Sequence, residues 1–309
     1  MRLGLPLGSL AALAILVAVK GPQVCAALAA CPPAALIAAV VVHVGSLSCR
    51  CEAWRLAVNA TGAPPLPRPS MHAASGMGFC AGSLQGASTA PVRALALRRV
   101  GRDDAPPFQH GLVAEAPIFV VDAALTALVL AFAVAAAPVA PAWAPALAVG
   151  FSIAALAGLR LALHHFGDRG GAAGLRVLAD PRRRAALTVL VVGTVAFGLV
   201  RAWIMLAAFG LPDGPGSVAI LFVILGVFGT FPIGPSSTPA ATLALFGATD
   251  ATAAVAVGIA LSATSILAVA VYAVGAIAAL GLSTLGTRSI RSVDQPKPRA
   301  ASPSPVSGL

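Results

Sequence analysis

The sequence predicts an all-α polytopic membrane protein with about six full spans, two hairpin or re-entrant segments and an internal repeat of inverted topology. Three observations carry that expectation: an apolar composition, apolar runs of spanning length, and basic residues gathered on alternate connections. Of 309 residues, 59% are hydrophobic and 10% charged, and the mean hydropathy is +0.93. Soluble domains carry about 45–50% apolar and roughly 25% charged residues, so too few charges remain here to cover a wetted surface. That excludes a soluble enzyme. The net charge of +10 does not indicate nucleic acid, whose recognition needs a basic face on a soluble fold.

Taken in order, full spans are expected at 3–19, 32–49, 113–137, 141–163, 185–208 and 251–282. Two weaker stretches, 70–92 and 217–246, are rich in Gly, Ser and Pro. Met1-Arg2 before an apolar run resembles a signal peptide, and Leu28-Ala29-Ala30-Cys31 resembles a lipoprotein cleavage site. Lys20 interrupts that run and another span follows at once, so an ordinary first helix is the expected reading. The five cysteines, at 25, 31, 49, 51 and 80, form no Cys-x-x-Cys pair, which points to neither zinc nor a disulfide framework. Cys49-Arg-Cys51 lies at a helix boundary, where palmitoylation and inert thiols are the two readings.

The basic residues orient the chain. Arg50, Arg55, Arg68, Arg93, Arg98, Arg99 and Arg102 precede the span at 113; Arg160, Arg169, Arg176, Arg182, Arg183 and Arg184 precede the span at 185. With Arg2, Arg288, Arg291, Lys297 and Arg299, 18 of the 20 basic residues fall on one side. The positive-inside rule makes that side cytoplasmic, so a multi-pass protein of the plasma (inner) membrane with both termini inside is expected. Lys20 and Arg201 are the exceptions. The stretch 70–92 must then enter and return from the inside, and 217–246 from the outside. Broken backbone at membrane depth survives only where protein or water satisfies it, which makes both stretches candidate pathway elements. One transmembrane domain, 1–283, is expected, followed by a disordered cytoplasmic tail at 284–309 rich in Ser, Pro and basic residues.

The two halves, 1–137 and 141–282, repeat the same order of span, span, hairpin and span from opposite sides. At an offset of 148, residues 86–97 align without gaps to 234–245, with six of twelve positions identical. Gly86, Ser88 and Pro91 match Gly234, Ser236 and Pro239, while Thr89 aligns with Ser237. Ala53-Trp54 recurs as Ala202-Trp203 within one residue of that offset. Secondary transporters often have this inverted design, with substrate handled where interrupted segments meet.

Ionisable groups within spans cost at least about 2.5–3.5 kcal/mol at the bilayer centre, so they lead the list of site residues. Glu115 and Asp122 stand seven residues apart, two turns along one helix face. Arg201 lies late in its span, and Arg93 directly follows the first hairpin. An arginine holds a phosphate bidentately, so Arg93 and Arg201 are candidates for lipid headgroups on opposite sides. The bland alternatives are that Arg93 only marks the cytoplasmic side, that Arg201 snorkels, and that Glu115 and Asp122 pair with an arginine for packing. Ser88, Thr89, Ser236 and Ser237 either line a polar path or only satisfy backbone broken at Pro91, Pro235 and Pro239. His164-His165 point to different helix faces, so no metal site is expected. No cofactor fingerprint and no nucleophile–base pair is visible, and no enzymatic activity is expected.

These features together resemble the flippase-like integral membrane family that includes the transmembrane region of lysylphosphatidylglycerol synthase. Phe231-Pro232-Ile-Gly234-Pro235-Ser236-Ser237-Thr-Pro239, followed by Leu243-Ala-Leu-Phe246-Gly247, is similar to that family's late Pro-x-x-Pro-Gly-Gly-x-Gly signature. Arg50 with Trp54-Arg55 resembles its basic/Trp boundary, Gly86–Arg93 its Gly-Glu-x-x-Arg segment, and Glu115 its acidic helix start. The resemblance covers about 1–285 and implies movement of an anionic or polyprenyl-linked lipid between leaflets. The chain departs from the pattern: Ala87 stands near the Gly-Glu acid, the glycine pair is Ser236-Ser237, and the third glycine is Pro239. Those losses keep an alternative open, a non-transporting membrane scaffold or partner of an envelope lipid- or glycan-modifying enzyme. Membrane lipids are the expected partners in either case, and nucleic acid is not.

Overall fold

The computed structural model describes residues 21–62, 64–101, 105–136, 172–229 and 237–293, with 149–150, 153, 157 and 160. The expected spans at 3–19 and 141–163 therefore lie largely or wholly outside the described residues, as do Lys20 and His164-His165. The described residues are almost entirely helical, with no strand among them. Ten helices follow in order among them: α1 (Gly21–Ala30), α2 (Pro33–Ala60), α3 (Arg68–Leu84), α4 (Thr89–Gly101), α5 (Phe108–Val113), α6 (Glu115–Ala136), α7 (Ala172–Ala179), α8 (Pro181–Ala208), α9 (Pro215–Gly229) and α10 (Ser237–Val293). Four stretches are long and apolar enough to cross a membrane: Pro33–Ala60, Phe108–Ala133, Pro181–Ala208 and Ser237–Leu282. Large apolar side chains also face outward, among them Ile37, Val41, Leu128, Val189 and Val274, a surface suited to hydrocarbon rather than water.

The helix limits follow from local chemistry. α2 and α8 both open with proline in the first turn, where the missing N–H costs nothing. Asp180 caps α8 by accepting from the Arg182 amide at 2.9 Å. Both helices stop at a glycine with positive φ, Gly62 at 85° and Gly210 at 67°. At the second, the Leu211 amide donates to Leu206 O and the Gly210 amide to Ala207 O, a Schellman closure that requires the left-handed residue. α10 is interrupted at Asp250 (φ −154°, ψ 102°). There the Asp250 carboxylate accepts from the amides of Thr252 and Ala253 and starts the second arm as an N-cap.

The observed limits differ from the sequence reading at the ends of α2 and α10, while the stretch 70–92 takes a hairpin form. α2 runs on to Ala60, well past residue 49, because Arg50, Glu52 and Arg55 find ion-pair partners rather than ending the helix. The stretch 70–92 is two short helices, α3 and α4, joined through Gln85 and a 3₁₀ turn at Gly86–Ser88. At 17 and 13 residues, these are roughly 25 and 20 Å long, which suits a hairpin that enters and returns. α10 continues to Val293, beyond the expected start of the tail at 284.

α2 lies along α8, where Gly45 receives the Phe197 ring, Gly193 faces Cys49 Sγ, and Ser46 Oγ donates to Thr194 O at 3.3 Å. α3 packs against α4 and, through Gly76 on Ala273 and Phe79 on Tyr272, against the second arm of α10. α9 packs on α6 and sends Phe222 over Gly198 of α8. Two large apolar cores result among the described residues, with four smaller clusters beside them. One gathers Trp54, Met71, Leu97, Ile118 and Leu187; the other gathers Met205, Leu206, Leu221, Val257 and Leu261.

Candidate functional site

Arg93 occupies the first core, and only 1% of it is exposed. α4 brings it there because Gly78 on α3 lets the hairpin close; a Cβ at that position would stand 2.7 Å from Arg93 Cβ and 2.9 Å from Thr89 O. The guanidinium carbon lies 4.3 Å from the Trp54 ring centre and 5.6 Å from that of Phe79. The Trp54 ring is itself fixed, since its Nε1 donates to Gly111 O at 3.1 Å. Arg93 Nη2 is paired with Glu115 Oε1, at the first residue of α6. Arg93 Nε and Nη1 are buried and make no hydrogen bond among the described residues. The arrangement is a desolvated cation held between aromatic faces, opposed by one carboxylate on Nη2, with Nε and Nη1 uncommitted. Both forked edges of the guanidinium include Nη2, so bidentate hold on an oxyanion requires Glu115 to be displaced.

Asp122 does not join this site. It pairs with Arg50 of α2 at 2.9 Å, so the two acids expected on one helix face serve different arginines. Beside Arg93, a second polar cluster forms that the sequence reading missed. Glu52 accepts from Arg55 Nε at 2.7 Å, pairs with Arg68 Nε at 3.4 Å, and meets His72 Nε2 at 3.1 Å. His72 Nδ1 is 2.7 Å from the Tyr272 hydroxyl. A carboxylate only accepts, so with a neutral ring Nε2 carries the proton and Nδ1 accepts from the tyrosine. One signal for this cluster is in the sequence: Glu52 is the only acid in residues 1–102, and Tyr272 is the only tyrosine.

Arg201 is separate from both clusters. Its Nη2 donates to Leu261 O, to Thr264 Oγ1 at 3.0 Å and to Ser265 Oγ at 2.7 Å, while Nη1 lies 3.5 Å from His43 Nδ1. It has no carboxylate partner among the described residues, and its Nε is buried and unpaired. Arg93 and Arg201 share no partner among the described residues.

At the first hairpin tip, the Ser88 hydroxyl donates to Gln85 O at 2.7 Å and the Thr89 hydroxyl to Gly86 O at 3.0 Å. Gly86 is exposed, and Pro91 is half-buried. Both hydroxyls are spent on the turn they belong to. At the start of α10, Ser237 and Pro239 are buried, and Pro239 backs onto Gly258 beside Thr242. Gly234, Pro235 and Ser236 lie outside the described residues. Comparison with protein-family models, curated proteins and solved structures gives no match.

Proposed function

We propose that this chain moves an anionic or polyprenyl-linked lipid between the leaflets of a plasma membrane, and that Arg93 is the cation that takes its phosphate. One observation carries the reading: a fully buried arginine, framed by Trp54 and Phe79, whose Nε and Nη1 are left without a partner among the described residues. Glu115 neutralises it; a lipid phosphate displaces Glu115 from Nη2 and takes Nη2 together with Nε or Nη1, while Glu115, 20% exposed, is left to take a proton. Asp122, held by Arg50, supplies a second counter-charge on the same helix. The resemblance to the flippase-like family points the same way.

The inverted architecture is part of this proposal, with both termini cytoplasmic. Element limits support it: Pro33–Ala60 and Pro181–Ala208 have equal lengths and are offset by 148, as are Gly62 and Gly210. α4 starts at Thr89 and α10 at Ser237 with the same offset. The α2–α8 contact is reciprocal, since Gly45 with Phe197 and Cys49 with Gly193 exchange places under that offset. Ser46 and Thr194, which correspond, touch each other. The halves differ in chemistry: the residue aligned with Arg93 is Ala241.

A non-transporting scaffold is the second reading, favoured by Ser88 and Thr89 being used locally and by the missing family acid. Reconstitution in liposomes with fluorescent phosphatidylglycerol separates the two. Wild type should exchange lipid between leaflets and Arg93→Ala should not, with Arg201→Ala reporting the opposite side. Absence of exchange in wild type for anionic and polyprenyl-linked lipids, with an enzyme of the envelope co-purifying, would give the scaffold.

A further inference from the structure

A lateral groove of about 380 Å³ opens beside the Glu52 cluster, lined by Val44, Arg68, His72 and Tyr272 and by the stripe Val271, Gly275 and Ala279. Its volume is within the ~300–1,000 Å³ range of small-ligand sites. Along α10, residues 271, 275 and 279 recur every fourth position, so they make one apolar wall about 12 Å long. Gly275 keeps that wall shallow, with nothing within 4 Å of where its Cβ would stand. The mouth is charged. Glu52 supplies one negative charge against Arg55 and Arg68, so one positive charge remains even with His72 neutral. Arg55 is committed, with Nε and Nη2 both 2.7 Å from Glu52 Oε2. Arg68 is not: only its Nε approaches Glu52, at 3.4 Å, and 69% of its side chain is exposed. Its Nη1 and Nη2 make no hydrogen bond among the described residues.

We infer that this groove binds an anionic phospholipid from the cytoplasmic leaflet, with the phosphate on Arg68 Nη1/Nη2 and one acyl chain along Val271, Gly275 and Ala279. The assignment rests on the orientation and the lipid reading proposed above and gives that reading a loading site. Charge and shape select the occupant together: an apolar trough alone accepts any chain, and a lone exposed arginine accepts any anion. An amphiphile with a phosphate at one end satisfies both. His72 and Tyr272 are closed to it, because each bonds the other and His72 Nε2 is held by Glu52. They shape the floor rather than bind the headgroup.

The full-length chain, incubated in detergent with equal phosphatidylglycerol and phosphatidylcholine, is examined by native mass spectrometry. Wild type should retain phosphatidylglycerol over phosphatidylcholine by roughly tenfold, the worth of a charge-assisted pair. Arg68→Gln should abolish the preference, and Arg68→Lys should keep part of it. Gly275→Leu, whose Cβ meets nothing within 4 Å and whose side chain extends from the groove wall, should lower retention of both lipids. Unfolding midpoints of the variants should match wild type, since Glu52 keeps Arg55 and His72 when Arg68 is replaced. Equal retention of the two lipids by wild type, or an unchanged preference in Arg68→Gln, overturns the site. If the preference behaves as expected while wild type exchanges no lipid in liposomes, the site stands and the transport reading falls. Exchange in wild type with no effect of Arg68→Gln on binding has the reverse meaning.

Discussion

Removing Glu115 should strand Arg93. The pair sits at the centre of the first core, with Arg93 1% and Glu115 20% exposed, and the two aromatic rings do not replace a counter-charge. Breaking a buried ion pair from one side costs about 3–5 kcal/mol, and the partial exposure of Glu115 places this case near 3 kcal/mol. For a chain of this size that is roughly 5 °C in unfolding midpoint. Arg93→Leu should cost less than Glu115→Leu, because a half-reached carboxylate can take a proton while a guanidinium cannot shed its charge. The double variant Arg93→Leu/Glu115→Leu should return to within about 1 kcal/mol of wild type. Its lipid exchange should still be absent, since the phosphate-holding cation is gone. Thermal unfolding of the detergent-solubilised protein, followed by tryptophan fluorescence, reads all four corners of the cycle. Penalties that simply add, or a harmless Glu115→Leu, would refute the coupling and with it the view of Glu115 as the resident partner of the site.

Other substitutions test the fold around it. Gly78→Ala should cost about 1–3 kcal/mol, because its Cβ meets Arg93 Cβ and Thr89 O; an unchanged midpoint would mean the hairpin is not so closed. Gly62→Ala and Gly210→Ala should each cost about 1 kcal/mol from positive φ alone, with nothing else within 4 Å; unequal penalties would argue against equivalent helix ends. Asp250→Ala should lose about 1 kcal/mol and raise amide hydrogen exchange at Thr252 and Ala253, whose N–H groups it accepts. Arg201→Met should leave stability nearly unchanged, since Thr264 and Ser265 already donate to Leu261 O. A large loss of stability there would make Arg201 a structural cation, whereas a selective loss of lipid exchange would make it a pathway residue.

Much of the architecture is legible in one dimension because a bilayer imposes it residue by residue. Apolar runs announce α2, α6, α8 and the second arm of α10, and prolines and glycines punctuate them at Pro33, Pro181, Gly62 and Gly210. The turn between α3 and α4 falls inside 70–92, the stretch expected to enter and return because it is too polar and short to cross twice. Helix limits were less legible at Arg50–Ala60, where charge suggested an exit from the membrane and ion pairing carried the helix on.

Which charges matter was legible only in part. Arg93, Glu115, Asp122 and Arg201 stand out in the sequence because ionisable groups are costly among apolar residues. Their pairing does not follow from spacing: Glu115 and Asp122 share a helix face, yet one meets Arg93 on α4 and the other Arg50 on α2. Glu52, His72 and Tyr272 come from three helices and converge through packing that no local pattern encodes. The sequence by itself determined that the chain is helical, suited to a membrane and sparing with charge, since those are properties of composition and period. The tertiary structure alone decided that Arg93 would be stacked, buried and half-unpaired, because burial and partner choice arise where distant helices cross.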